Sequence, residues 1–190
     1  LDPRSSTYGC VVNTPKPGWS GFDIISRVRC WAAPVGFDTD VNGAALAEGR
    51  WGAAQGLDSF AYVTVGTGIG VGSIVNGRPV RGLCHSEAGH LRIPRPAGTT
   101  FEGACPYHGD CVEGLASGQA VLAHAGLPAE HLSRNDPAWD VVVSALKLIN
   151  SFSSQIVNLR SIYLFRNHFI SSFGSDFNSN CDLFSIFAEF

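Results

Sequence analysis

The sequence predicts an α/β fold, and three observations carry that expectation. They are a strand-to-helix junction at Asp38 to Asp40, a β-hairpin pattern from Phe60 to Val75, and helical stretches that follow a loop bearing cysteine and histidine. At the junction, PVGFDTDVNGAALAEGRWGAAQG begins as an extended piece ending near Phe37. Ala44, Ala45, Ala47, Trp51 and Ala54 then suit a helix from about Val41 to Gln55, with acid at its start and Gly56 beyond its end. An aspartate there has two readings. It caps or complements the helix dipole, or it is a group that an α/β fold exposes to a ligand. Asp40 is the better candidate of the two for the second.

In the hairpin, Phe60 to Val65 is rich in β-branched and aromatic residues, a second strand is expected at Val71 to Val75, and Asn76-Gly77 is a strong two-residue turn signal. Between the strands, VGTGIGVG leaves backbone N–H groups unshielded at Gly66, Gly68, Gly70 and Gly72. Such a bend can cradle phosphate oxygens, with Thr67 adding a hydroxyl; it also occurs as an ordinary glycine-rich turn. Further on, GLASGQAVLAHAG reads as one helix ending near Gly126, and WDVVVSALKLIN places Val142, Ala145, Leu146 and Ile149 on one face. His124 and His131 read as surface or cap residues. Near the N-terminus, GFDIISRVR reads as a small surface helix.

The stretch from Glu87 to Glu113 carries the densest chemistry. His90 is followed by Cys105, His108 and Cys111 in a C-x2-H-x2-C cluster, with the turn formers Pro106 and Gly109 among them. Thiolate and imidazole donors at this spacing suit tetrahedral Zn2+. The alternative is a short-loop disulfide between Cys105 and Cys111, or two small buried hydrophobes. Glu87 and Glu113 bracket the set, as if the loop braced a polar binding site.

A net charge of -3 and a pI near 6.0 give no reason to expect nucleic acid or an anionic membrane as partner. No apolar run reaches membrane-spanning length and the first residues lack a signal-peptide pattern, so the cytoplasm is the expected location. Six cysteines are too few for a dense disulfide framework in a chain of 190 residues, which favours reduced thiols. There is no methionine, position 1 included, so residues are expected to precede Leu1. Beyond Asn150 the composition shifts: eight of the twelve phenylalanines and nine serines fall there. Residues 151–190 are therefore expected to be foreign to the domain formed by residues 1–150; a genuine aromatic packing segment, with Phe165, Phe169 and Phe173 along a helix face, is the alternative.

PVGFDTDVNGAALAEGRWGAAQGLD, FAYVTVGTGIGVG, NGRPVRG, the Glu-x-Gly-His motif at Glu87 to His90, and CPYHGDCVEGLASG together resemble the ROK family (repressor, open reading frame, kinase), most closely its bacterial fructokinases. The likeness covers about residues 1–150. It implies an actin-like, ribonuclease H-like sugar kinase fold, here incomplete. The first phosphate-loop hairpin would precede Leu1, and an adenosine-binding part would stand where the phenylalanine-rich tail is. It implies Asp40 as catalytic base, Thr39, Asp40, Glu87, His90 and Glu113 as sugar-binding residues, and Gly66, Thr67 and Gly68 on a phosphate loop for ATP. It further implies structural Zn2+ on His90, Cys105, His108 and Cys111, Mg2+ with ATP, and a homodimeric parent. Family glucokinases usually carry Asn before the catalytic Asp; Thr39 stands there, so fructose is the expected substrate and mannose or glucose the alternatives. A sugar-sensing repressor of the same family is the rival function. The chain as written, with one phosphate loop and no recognisable strand partner for Phe60 to Val65, is expected to be inactive alone.

Overall fold

The computed structural model describes residues 2–12, 17–29, 34–82, 85–157, 162–166 and 184–187; the expectations touching Cys30, Cys84, Cys181, Phe169 and Phe173 lie outside them. Among the described residues five strands form one mixed sheet, in the order Arg78–Pro79, Ile69–Val75, Phe60–Val65, Ile162–Arg166 and Phe184–Phe187. β1 (Phe60–Val65) and β2 (Ile69–Val75) make the expected hairpin, Phe60 opposite Ile74 and Val65 opposite Ile69. Asn76 and Gly77, both at positive φ (51° and 72°), turn the chain into the short β3 (Arg78–Pro79). β4 (Ile162–Arg166) runs parallel to β1, and β5 (Phe184–Phe187) parallel to β4.

β1 is therefore not an unpaired edge: Ala61 to Val65 are paired on both sides. The partner comes from far downstream, a pairing that no local pattern announces. Phe165 lies in a strand, not on a helix face.

The alternation of strand side chains sorts the core into two layers. Val63, Val65 and Val71 face one side and pack with Val112, Leu115, Val121, Val142, Leu146 and Ile149. These come from α3 (Val112–Ala116), α4 (Gly118–Ala125) and α5 (Ala138–Val157). Full burial of each such side chain contributes about 1.5–3 kcal/mol. On the opposite side Phe60 and Ile74 pack with Ala45 of α2 (Asp40–Trp51) and with Ala54.

α1 (Ile24–Val28) forms as expected, capped by Asp23, whose carboxylate accepts the Ser26 N–H at 2.9 Å. The expected helix over Gly114 to Gly126 is two helices. Ser117 is extended and buried, and its hydroxyl accepts the Ala120 N–H at 3.2 Å as the cap of α4. A serine that competes for backbone N–H groups breaks a run whose apolar spacing reads as continuous. Among the described residues no helix is long and apolar enough to cross a membrane.

Candidate active site

Asp40 is positioned by glycines. In β2, residues 70 and 72 point at the start of α2. A Cβ on Gly70 would lie 2.7 Å from Val41 Cγ1, and one on Gly72 would lie 2.2 Å from the Val41 carbonyl oxygen. Only glycine lets the first turn of α2 press this closely on the strand. The glycine-rich pattern thus divides by role, since Gly70 and Gly72 seat the helix while Gly66 and Gly68 form the bend between β1 and β2, closed by a Gly66 N–H to Gly68 carbonyl bond of 2.9 Å.

Thr39, not an aspartate, caps α2: its Oγ1 accepts the Asn42 N–H at 3.2 Å. Asp38 is a structural acid. Its Oδ1 accepts from the Thr39 N–H (2.8 Å) and Asn42 Nδ2 (2.9 Å), and its Oδ2 pairs with the Arg81 guanidinium. Partial burial pushes the Asp38 carboxyl up, but donors from Asn42, Thr39 and Arg81 outweigh this and hold it below the usual carboxylate range. Asp40, the first residue of the helix, is exposed and lines an open cleft of about 360 Å³. Thr39, Thr64, Gly66, Thr67, Gly68, His85, Glu87 and Glu113 also line it.

The opposite wall comes from the Glu87–Glu113 stretch. Glu87 has left-handed backbone (φ 39°), which for a non-glycine residue costs about 1–2 kcal/mol. It precedes a 3-10 turn, Ala88–His90, whose Gly89 sits so close to β2 that a Cβ would meet the Ile69 carbonyl oxygen at 1.9 Å. That contact explains the glycine of the Glu-x-Gly-His motif. Glu113, in the first turn of α3, accepts the Ile69 N–H through Oε2 at 2.9 Å.

Beside this wall the donor atoms of His90, Cys105, His108 and Cys111 all lie within 4.8 Å of one another. Both cysteines are free thiols, so they do not form the alternative disulfide. His90 Nδ1 is 3.7 Å from Cys105 Sγ and 3.6 Å from Cys111 Sγ, and His108 Nδ1 is 3.7 Å from Cys105 Sγ. Tetrahedral metal bonds of about 2.3 Å to sulfur and 2.0 Å to nitrogen separate the two donors by about 3.5 Å, so the quartet fits a single ion.

The loop is pre-shaped. Cys105 and Gly109 exchange backbone hydrogen bonds (3.2 and 2.9 Å), and a Cβ on Gly114 would lie 1.8 Å from the Gly109 carbonyl oxygen. Asp110 is tied by Arg92 (3.5 Å) and Arg95 (3.4 Å). Without a cation, burial and the neighbouring Cys105 raise the Cys111 thiol to about 11, against a lowering from the Gly114 N–H. A bound cation reverses that preference by stabilising the thiolate.

Of the sequence-predicted residues, Thr39, Asp40, Glu87, Glu113 and Gly66 to Gly68 meet at the cleft. His90 turns its Nδ1 to the sulfurs and is not among the cleft-lining residues. His85 lines the cleft, and sequence reasoning missed it: a single histidine between a turn and a motif carries no local signal. His124 stacks on Phe101 at 4.6 Å, a packing role.

The sequence profile of the ROK family matches residues 4–165. The chain belongs to the ROK family. The matched region holds both walls of the cleft and the Cys/His quartet, and it runs past Asn150 through α5 into β4. This ROK chain is 48% identical over 140 residues to a fructokinase of Zymomonas mobilis, which covers 73% of this chain and 46% of the relative. A fructokinase of Lactococcus lactis is 42% identical over 144 residues, covering 75% and 49%. Among solved structures, the ROK hexokinase from Thermus thermophilus superposes with a TM-score of 0.69 at 30% identity, covering 82% of this chain and 56% of that one. The fold is that of the ROK sugar kinases. The chain spans about half the length of the curated relatives it matches.

Proposed function

We propose that the full-length protein is an ATP-dependent fructokinase that converts D-fructose to fructose 6-phosphate. The observation that carries this reading is the cleft itself: a helix-terminal carboxylate, two further acids and a glycine bend share one opening, in a chain close in sequence to fructokinases. Asp40 would take the proton of the attacking hydroxyl, a role that needs only a carboxylate within hydrogen-bond reach. Thr39, Glu87 and Glu113 would hold the remaining hydroxyls, with His90 behind them. The backbone N–H groups of Thr67 and Gly68 and the Thr67 hydroxyl would face the ATP phosphates, in a bend held shut by the Gly66 N–H on the Gly68 carbonyl.

Phosphoryl transfer is mostly positioning and charge neutralisation, and Mg2+ on the nucleotide supplies part of the latter. Zn2+ suits the quartet better than a catalytic metal does, because four protein donors leave no open position; it would brace the loop and take no part in the chemistry.

The test is sugar-dependent ADP formation by the full-length protein with fructose, mannose and glucose. The proposal expects fructose to give the highest kcat/KM, with kcat of about 1–100 s⁻¹. Preference for mannose or glucose would overturn the substrate assignment. Sugar-regulated DNA binding without turnover would overturn the enzyme reading in favour of a repressor.

A further inference from the structure

The Cys/His quartet and the glycine bend meet at one side chain. Cys111 is a member of the quartet and also the N-cap of α3, its sulfur accepting the Gly114 N–H at 3.4 Å. Glu113 stands two residues on, in the first turn of that helix. Its Oε2 accepts the Ile69 N–H at 2.9 Å, while its Oε1 lies 3.9 Å from His90 Nδ1. Space for the carboxylate exists because residue 68 is glycine: a Cβ there would lie 2.6 Å from Glu113 Oε2. Two further contacts tie the same bend to the same region. The Gly118 N–H donates to the Gly66 carbonyl at 2.7 Å, and Gly89 packs against the Ile69 carbonyl.

We infer that Glu113 is a positioning residue through which metal binding at the quartet sets the conformation of the Gly66–Ile69 bend. The route is short and physical. An ion that fixes Cys111 Sγ fixes the cap of α3, the cap orients the first helical turn, and that turn aims Glu113 at the Ile69 amide. The metal loop then shapes the segment at which ATP phosphates are proposed to sit, in addition to the sugar side of the cleft. This inference rests on the metal reading of the quartet.

The experiment is a Zn2+ titration of the 15N-labelled protein followed by backbone amide NMR. The expected result is that the Gly68 and Ile69 amides shift in step with Gly114 and saturate at one equivalent. In Glu113→Ala the Ile69 response is lost while Gly114 still saturates, with zinc affinity lowered about tenfold, as for other partners of metal ligands. Glu113→Gln keeps an acceptor oxygen and restores the Ile69 response. Gly68→Ala, which displaces the carboxylate without touching α3, reproduces Glu113→Ala and serves if that variant fails to fold. An Ile69 amide that stays still while Gly114 saturates, or that moves equally in Glu113→Ala, overturns the inference alone. Absence of any zinc-dependent shift overturns the metal reading and the inference with it.

Discussion

The two walls of the cleft are built by opposite means. The α2 wall is held by backbone packing: Val41 is buried against Gly70 and Gly72, Thr39 caps the helix, and Asp38 is bound by Asn42 and Arg81. Nothing in that list depends on an added group. The Glu87–Glu113 wall has exposed residues at its tip, including Tyr107 and His108, and two thiols and two imidazoles, His108 among them, are turned toward one another. A cation held among them would stabilise the thiolates and tie that wall together. The difference teaches that one site can combine a constitutive half, which carries the proposed base, with a conditional half, which carries the acids that would read the sugar.

The comparison can be broken most forcefully at Asp40. Asp40→Asn keeps size and hydrogen bonding but removes the base, and should lower kcat by about 10²–10⁴-fold while fructose affinity stays within about tenfold. Retention of more than a tenth of wild-type kcat, measured by coupled ADP assay, would reduce Asp40 to a helix-terminal acid. Next comes the conditional wall. Cys105→Ser or Cys111→Ser should leave less than half an equivalent of zinc on the purified protein and speed proteolysis between Arg92 and Asp110, with the β1–β2 hairpin still protected in hydrogen exchange. Equal zinc content and equal cleavage would show that the loop does not need the ion.

Smaller effects sharpen the constitutive side. In Gly72→Ala the new Cβ meets the Val41 carbonyl, so α2 must shift, at about 1–3 kcal/mol of overpacking; denaturant unfolding measures it. An unchanged midpoint would mean that the close seat of α2 is not needed. Thr39→Ala removes a cap worth about 1 kcal/mol and should change stability by no more than that. A larger loss of fructose affinity than of stability would assign Thr39 to the sugar.

Much of this was legible in the sequence because the signals were local. β1 runs from Phe60 to Val65 as its pattern reads, Asn76-Gly77 turns where expected, and the C-x2-H-x2-C spacing with His90 describes the quartet that converges. What was hidden is what depends on distant contact. Gly70 and Gly72 read as part of a ligand-binding bend until α2 is seen pressed on them, and β2 starts at Ile69 because that residue pairs with Val65, where β1 ends, not because its own residues change character. The parallel β4 neighbour of β1 lies in the phenylalanine-rich stretch, whose shift in composition gives no sign of a strand partner. His85 reaches the cleft through chain geometry alone.

The central claim is that the conditional wall must be braced by metal for the sugar to be read. Calorimetric titration of fructose into the zinc-loaded protein, the chelated protein and the protein with zinc restored tests it most directly. The account predicts that affinity falls at least about tenfold on chelation and returns with one equivalent of zinc, as losses of structural support at a binding site do. Equal fructose affinity with and without the metal, in protein that remains folded, would contradict it.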